Sequence, residues 1–201
     1  MNGSLVDLTG SFPKSYMVKC GLSAHSVELG AILMKVREAS IEDAEGIAIV
    51  HVNSWKSTYQ GIISESYLSS LSVENRTKSW KWTFENRAEH ERVFVAENRE
   101  GKIVGFSNGG RSRNDEFNHD GELYAIYLLR EYQGLGVGKL LFNSVVASLK
   151  NNGYSSMMLW VLEDNPSLGF YKLQGGQSIG QKTISIGTDN LVELAIGWSS
   201  L

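Results

Sequence analysis

The sequence predicts a single α/β domain, on three observations. Short apolar or alternating stretches trade places with stretches that repeat every three or four residues, from Met34 to Ile196. One strand-like stretch, Gly121–Leu129, leads into a glycine-rich turn and then a helical pattern. The chain has 201 residues, 42% hydrophobic and 20% charged. That suits one domain burying about 70% of its extended surface and excludes a mainly disordered chain.

Each element has a local reason. Ile32–Arg37 reads as a short first strand. Ser40-Ile41-Glu42-Asp43 has the form of a capping box, and Ala44, Ile47, Ala48, His51, Val52 and Trp55 then make one helical stripe until Gly61. A second helical region spans 64–86, interrupted near Ser72, with Trp80 and Phe84 on one face. Arg92–Ala96 and Lys102–Ser107 are strands about the turn Asn98-Arg99-Glu100-Gly101. After the glycine turn, Val137, Leu140, Leu141, Val145 and Leu149 form a buried helix face, ended by Asn151-Asn152-Gly153. Met157–Leu162 is a strand and Pro166–Leu173 a short helix. Lys182–Ile186 and Leu191–Ile196 form a hairpin about Gly187-Thr188-Asp189-Asn190.

Residues 1–33 show neither periodicity, and they read as an extension outside a core domain of 34–201. No basic segment leads an apolar run there, as a secretory signal requires, and no 18-residue apolar run predicts a membrane span. Nineteen Lys and Arg against 22 Asp and Glu give a net charge of −3, so neither nucleic acid nor a membrane is expected as a partner. The lone cysteine, Cys20, allows no internal disulfide and points to a reducing, cytoplasmic setting. His25, His90 and His119 lack ligand spacing, so no metal is expected.

A strand, a glycine turn and a helix start make an anion site, because the first helical amides lack partners and the helix dipole adds positive charge. Gly134, Gly136 and Gly138 keep Cβ atoms out of that space. Three phosphate motifs compete for the loop. A P-loop needs glycine at Gln133 and a hydroxyl at Leu140; a dinucleotide fingerprint fails at Lys139 or at Leu141, depending on its start. Gln/Arg-x-x-Gly-x-Gly/Ala is met by Gln133, Gly136 and Gly138.

With this pattern the run Leu123 to Gly138 resembles the acetyl-CoA-binding motif of GCN5-related N-acetyltransferases, the GNAT family. The resemblance extends over about 34–198 and includes Asn165, Phe170-Tyr171 and Gly175-Gly176. It implies a mixed, mainly antiparallel sheet flanked by helices, with coenzyme where the strands Gly121–Leu129 and Met157–Leu162 diverge. Backbone groups of Ile126, Tyr127 and Leu128 match those offered to the pantetheine arm. The amides of Gly134, Leu135, Gly136, Val137, Gly138 and Lys139 match the pyrophosphate loop that Gln133 opens. Asn165 matches a coenzyme contact and Tyr171 the tyrosine that can protonate the departing thiolate. These two are six residues apart, where the family spacing is commonly seven, with Pro166 between.

The implied reaction is direct acetyl transfer from acetyl-CoA to a primary amine of a small molecule or protein. A non-catalytic acyl-CoA-binding sensor is the alternative, and a nucleotide-binding phosphotransferase a distant third. The ammonium must lose a proton before attack, and an amide near Leu128 would steady the oxyanion. Glu122, at the start of an apolar strand, is the candidate base; pairing with Arg111 or Arg113 is its structural alternative. His51, Trp55, Tyr59 and Trp80 are candidates for the amine pocket, though as helix-face residues they read first as core. Homodimers are common among the proteins the chain resembles.

Overall fold

The structure, a computed structural model, describes residues 25–29 and 32–201, with side chains described from Met34 onward. Cys20 and most of the expected extension lie outside the described residues. Among the described residues eight strands form one sheet in the order β1-β2-β3-β4-β5-β6-β8-β7. They are β1 His25–Leu29, β2 Ile32–Glu38, β3 Arg92–Glu97, β4 Ile103–Arg111, β5 Gly121–Leu128, β6 Met157–Leu162, β7 Gln177–Ile186 and β8 Asp189–Trp198. Every neighbouring pair is antiparallel except β5 and β6, which are parallel. The α-helices of the described residues are α1 Ala44–Thr58, α2 Glu65–Ser70, α3 Val73–Asn86, α4 Val137–Asn151 and α5 Leu168–Leu173. The sheet is thus mixed, mainly antiparallel and flanked by helices.

Local chemistry sets the element ends. The Ser40–Asp43 capping box opens a single 3₁₀ turn that runs into α1, and Asp43 is also held by Arg37 at 2.7 Å. The Ser72 hydroxyl accepts from the Asn75 amide and starts α3, which explains the break between α2 and α3.

Strand alternation assigns the helices to faces. Phe106 of β4 turns to α1 and α3, meeting His51 and Trp80 at ring separations of 5.5 and 5.1 Å. Ser107 turns the other way and donates to the Leu141 carbonyl of α4 at 3.0 Å. A Cβ on Gly109 would stand 2.6 Å from Val145 of α4, so glycine there lets the helix lie close. The strand read as ending at Ser107 in fact continues through Asn108-Gly109-Gly110 to Arg111.

Two further readings change. β1 pairs with β2 from His25↔Val36 to Leu29↔Ile32, so the strand read as first is the second in the sheet. The terminal hairpin is longer at its outer ends, and its turn is tied to α2 by the Ser64 amide donating to Asp189 at 2.8 Å. Among the described residues no helix is long and apolar enough to cross a membrane.

Candidate active site

β5 and β6 pair only at Gly121↔Met157 and Glu122↔Met158. Beyond that point β6 follows β8, from Leu159↔Ile196 to Leu162↔Glu193, while β5 stays with β4. A bulge at Tyr124 marks the parting, since Asn108 faces Ala125 and Gly109 faces Leu123. The strands therefore open into a wedge. A cavity of about 730 Å³ fills it, a size suited to a sizeable small-molecule ligand.

The wedge leaves one edge of β5 unpaired. The Leu129 amide donates to the Val104 carbonyl at 2.9 Å. Antiparallel alternation then points the amide and carbonyl of Tyr127 toward β4, and those of Ile126 and Leu128 into the wedge. This corrects the reading of Tyr127 as a backbone contact, because its main-chain groups belong to the β4 ladder. The Leu128 carbonyl accepts from Gln133 Nε2 at 3.2 Å, which ties the loop to the strand end. The Leu128 amide and both main-chain groups of Ile126 remain free to meet a ligand.

At the mouth of the wedge stands the start of α4. Gly134 and Gly136 have φ of +74° and +79°, the left-handed region that a Cβ disfavours. Gly136 caps the helix, and its carbonyl accepts from the Lys139 and Leu140 amides at 3.1 and 3.2 Å. Val137 and Gly138 occupy the first helical positions, whose amides have no carbonyl one turn back. Gln133, Gly134, Gly136, Gly138 and Lys139 line the cavity. Leu135 and Val137 do not: their side chains pack into the core below α4, which leaves only their main chain to face a ligand. The loop thus presents main-chain amides at a helix start, an arrangement whose chemistry suits an anion.

Tyr171 enters from α5, is buried, and lines the cavity. Among the described residues no protein group hydrogen-bonds its hydroxyl. Burial, with the nearby Tyr59, pushes the Tyr171 phenol above the ordinary tyrosine range, so it stays a neutral donor. Asn165 also lines the cavity, but its side chain is largely spent on the fold. Its Oδ1 accepts from the Ser167 amide at 2.8 Å and its Nδ2 donates to Tyr59 Oη at 3.1 Å.

Two carboxylates border the same cavity, and each is answered by a cation over an aromatic ring. Glu122 accepts from the Arg113 amide at 2.8 Å and pairs with the Arg113 guanidinium at 2.6 Å. That guanidinium lies 3.7 Å from the Tyr124 ring centre. Glu193 of β8 stands 3.5 Å from Lys182 Nζ, which lies 3.7 Å from the centre of Trp160. Sequence reasoning missed Glu193; its one signal is a lone acid within the apolar run Leu191–Ile196.

Of the expected amine-pocket residues, Trp55 and Tyr59 line the cavity. His51 and Trp80 do not. His51 stacks on Tyr127 at 5.0 Å and its buried Nδ1 has no hydrogen-bond partner, so it is packed without being satisfied.

The comparisons agree with this geometry. Residues 55–175 match the acetyltransferase (GNAT) family. An N-acetyltransferase of Bacillus subtilis, YuaI, is 39% identical over 84% of this chain and 95% of its own. A spermidine N(1)-acetyltransferase of Thermoplasma acidophilum is 30% identical over 68% of this chain and 83% of its own. The crystal structure of the PaiA N-acetyltransferase of Thermoplasma acidophilum, in complex with coenzyme A, superposes with a TM-score of 0.60 at 27% identity. It covers 80% of this chain and 97% of its own. A ribosomal-protein-alanine N-acetyltransferase of Brucella melitensis shares the fold at a TM-score of 0.63 and 20% identity, over 81% of this chain and 98% of its own. The diverging strands, the glycine cradle and these relatives converge: the chain is an N-acetyltransferase of the GNAT family.

Proposed function

We propose that this enzyme transfers the acetyl group of acetyl-CoA to a primary amine of a small cationic molecule, by direct attack within a ternary complex. The observation that carries the reading is the wedge between β5 and β6, which joins an anion cradle to a wall bearing two carboxylates. The amides from Gly134 to Gly138 would take the pyrophosphate, since the Lys139 amide is already given to the Gly136 carbonyl, and the free groups of Ile126 and Leu128 would take the pantetheine arm. The Leu128 amide then faces the developing oxyanion. The name of the Thermoplasma acidophilum relative, a spermidine acetyltransferase, supports a small amine as acceptor.

Tyr171 is proposed to donate a hydrogen bond to the departing thiolate. A phenol raised above its ordinary range does not fully protonate a thiolate of ordinary thiol pKa, about 8.5. It steadies the thiolate, and solvent supplies the proton. Glu122 is proposed to receive the amine proton once Arg113 withdraws, since both carboxylate oxygens are otherwise engaged. The Arg113 side chain is 61% exposed, which leaves it room to move.

A thiol-release assay with acetyl-CoA and a panel of polyamines, aminoglycosides, amino acids and peptide amines tests the reading. Turnover with a small cationic amine supports it. Coenzyme A binding without thiol release for any amine would overturn it in favour of a binding module.

A further inference from the structure

We infer that Trp160, Glu193 and Lys182 form a seat for the second ammonium of a diamine or polyamine acceptor, held by Lys182 until that substrate arrives. The inference rests on the acetyl-transfer reading and names the substrate class of the same site. Sheet register assembles the seat. Lys182 of β7 and Leu162 of β6 both pair with Glu193 of β8. Two-residue alternation then puts Trp160 on the same face as Leu162, the face that meets Tyr59 and α2.

An ammonium already sits there. Lys182 Nζ is 3.7 Å from the Trp160 ring centre and 3.5 Å from Glu193 Oε2, so the π-face and the carboxylate hold one cation between them. Trp160 and Glu193 both line the cavity that holds Tyr171 and Glu122, whereas Lys182 is not among its lining residues. Lys182 lies on the outermost strand with its side chain 42% exposed, while that of Glu193 is 21% exposed. The lysine can therefore swing into water at little cost, but Glu193 cannot follow. Its departure leaves a carboxylate and an aromatic face open to the cavity, and a substrate ammonium replaces it charge for charge.

A diamine then spans the site, with one ammonium on Trp160 and Glu193 and the other nitrogen at the transfer position. A monoamine makes only the second contact, and Lys182 keeps its place. The two fixed ends also impose a preferred separation between the nitrogens.

Titration calorimetry of α,ω-diaminoalkanes of three to eight carbons, and of matched n-alkylamines, into the complex with coenzyme A tests the seat without needing turnover. The wild-type chain is expected to bind its best diamine roughly tenfold tighter than the alkylamine of equal length. Glu193→Gln is expected to erase that preference. Lys182→Met removes the competitor and is expected to tighten diamine binding roughly threefold, with alkylamine binding unchanged. Equal affinity for diamine and alkylamine in the wild-type chain overturns the seat, as does Lys182→Met leaving diamine affinity unchanged or weaker. The coenzyme titration that prepares the complex separates the two readings. Failure to bind coenzyme A defeats the acetyl-transfer reading, while intact coenzyme binding without diamine preference defeats the seat alone.

Discussion

Arg113 closes the carboxylate of Glu122 with its own main chain and its side chain together: the amide reaches Oε2 at 2.8 Å and the guanidinium reaches Oε1 at 2.6 Å. The partners are unequally exposed, at 61% for the arginine side chain and 5% for the glutamate. Removing the arginine strands a buried charge, while removing the charge strands only a wet guanidinium. Arg113→Ala is therefore expected to lower stability by about 1–2 kcal/mol and Glu122→Gln by less, read from urea midpoints. Turnover should show the reverse order. If Glu122 takes the amine proton, Glu122→Gln lowers kcat by about 100-fold, while Arg113→Ala retains most of it. A Glu122→Gln enzyme with unchanged kcat would remove Glu122 from the chemistry.

The Tyr171 hydroxyl is a buried donor with no protein partner among the described residues. Its contribution is made to a charge that exists only as the thioester breaks. Tyr171→Phe is thus expected to lower kcat by about 10- to 100-fold, the value of a hydrogen bond to a charged group. The coenzyme dissociation constant should stay within about twofold, because the ground-state thioester carries no such charge. Equal losses in affinity and turnover would make the residue a binding contact instead.

Gly138 offers a cleaner probe of the cradle than its neighbours. A Cβ there would meet Phe170 at 3.9 Å, an ordinary contact, and its φ does not lie in the left-handed region. Nothing in the protein itself demands glycine at that helical position. Gly138→Ala is expected to keep or raise stability by up to about 1 kcal/mol, from helix propensity. Coenzyme A affinity should nevertheless fall by at least about tenfold, because the methyl enters the space of the pyrophosphate. Gly134→Ala lacks this clarity, since φ of +74° strains any side chain.

Much of this was legible because local signals agreed. The α1 stripe from Ala44 to Trp55, the Ser72 break and the loop from Gln133 to Gly138 each carry their meaning in a few adjacent residues. What was not legible depends on register. Whether Tyr127 offers its main chain to a ligand depends on which β5 amides face β4, and the Leu129–Val104 bond decides that. Glu193 meets Lys182 and Trp160 only because three strands align, two of which are distant from β6 in sequence. Asn108-Gly109-Gly110 has the composition of a turn, and only the closeness of the Glu122 carbonyl and Val145 to Gly109 shows why a strand needs glycine there. His-Ser-Val-Glu-Leu at β1 offers five residues without a run, too little for a pattern.

The reading of 34–201 as the core domain now has a specific test, because β1 lies before its boundary. β2 pairs with β3 from Lys35↔Glu97 to Glu38↔Phe94 independently of β1, and Met34 and Val36 are buried in the main core. A chain beginning at Met34 is expected to fold with reduced stability and unchanged coenzyme A affinity, since the wedge lies four strands from β1. Circular dichroism with thermal melting and a coenzyme titration read both. Failure of that chain to fold, where one beginning at His25 folds, would move the domain boundary back to β1.

Acid sensitivity should trace to His51. Burial among aromatic rings, with the Arg76 charge adding, pushes its imidazole down to about 3. In the unfolded chain the same group titrates near an ordinary ~6.5. Between those values the unfolded state holds a proton that the folded state lacks, so stability falls as pH is lowered from about 6.5 toward 3. Asp43 and Asp120 add a separate loss at lower pH. Burial opposes their ionisation, but Arg37 and Ser40, and the amides and hydroxyls of Ser155 and Ser156, outweigh it and hold both carboxyls below their usual range. Their stabilisation is present above an ordinary ~3.9 and fades as pH falls through their lower folded values. A comparison of pH 7 with pH 4.5 therefore weights the histidine above these carboxyls, and the histidine variant separates the two. The wild-type chain is expected to lose roughly 2–3 kcal/mol across that interval, read from urea midpoints, and His51→Phe most of that dependence. An equal loss in both chains would mean that the imidazole takes up its proton in the folded state.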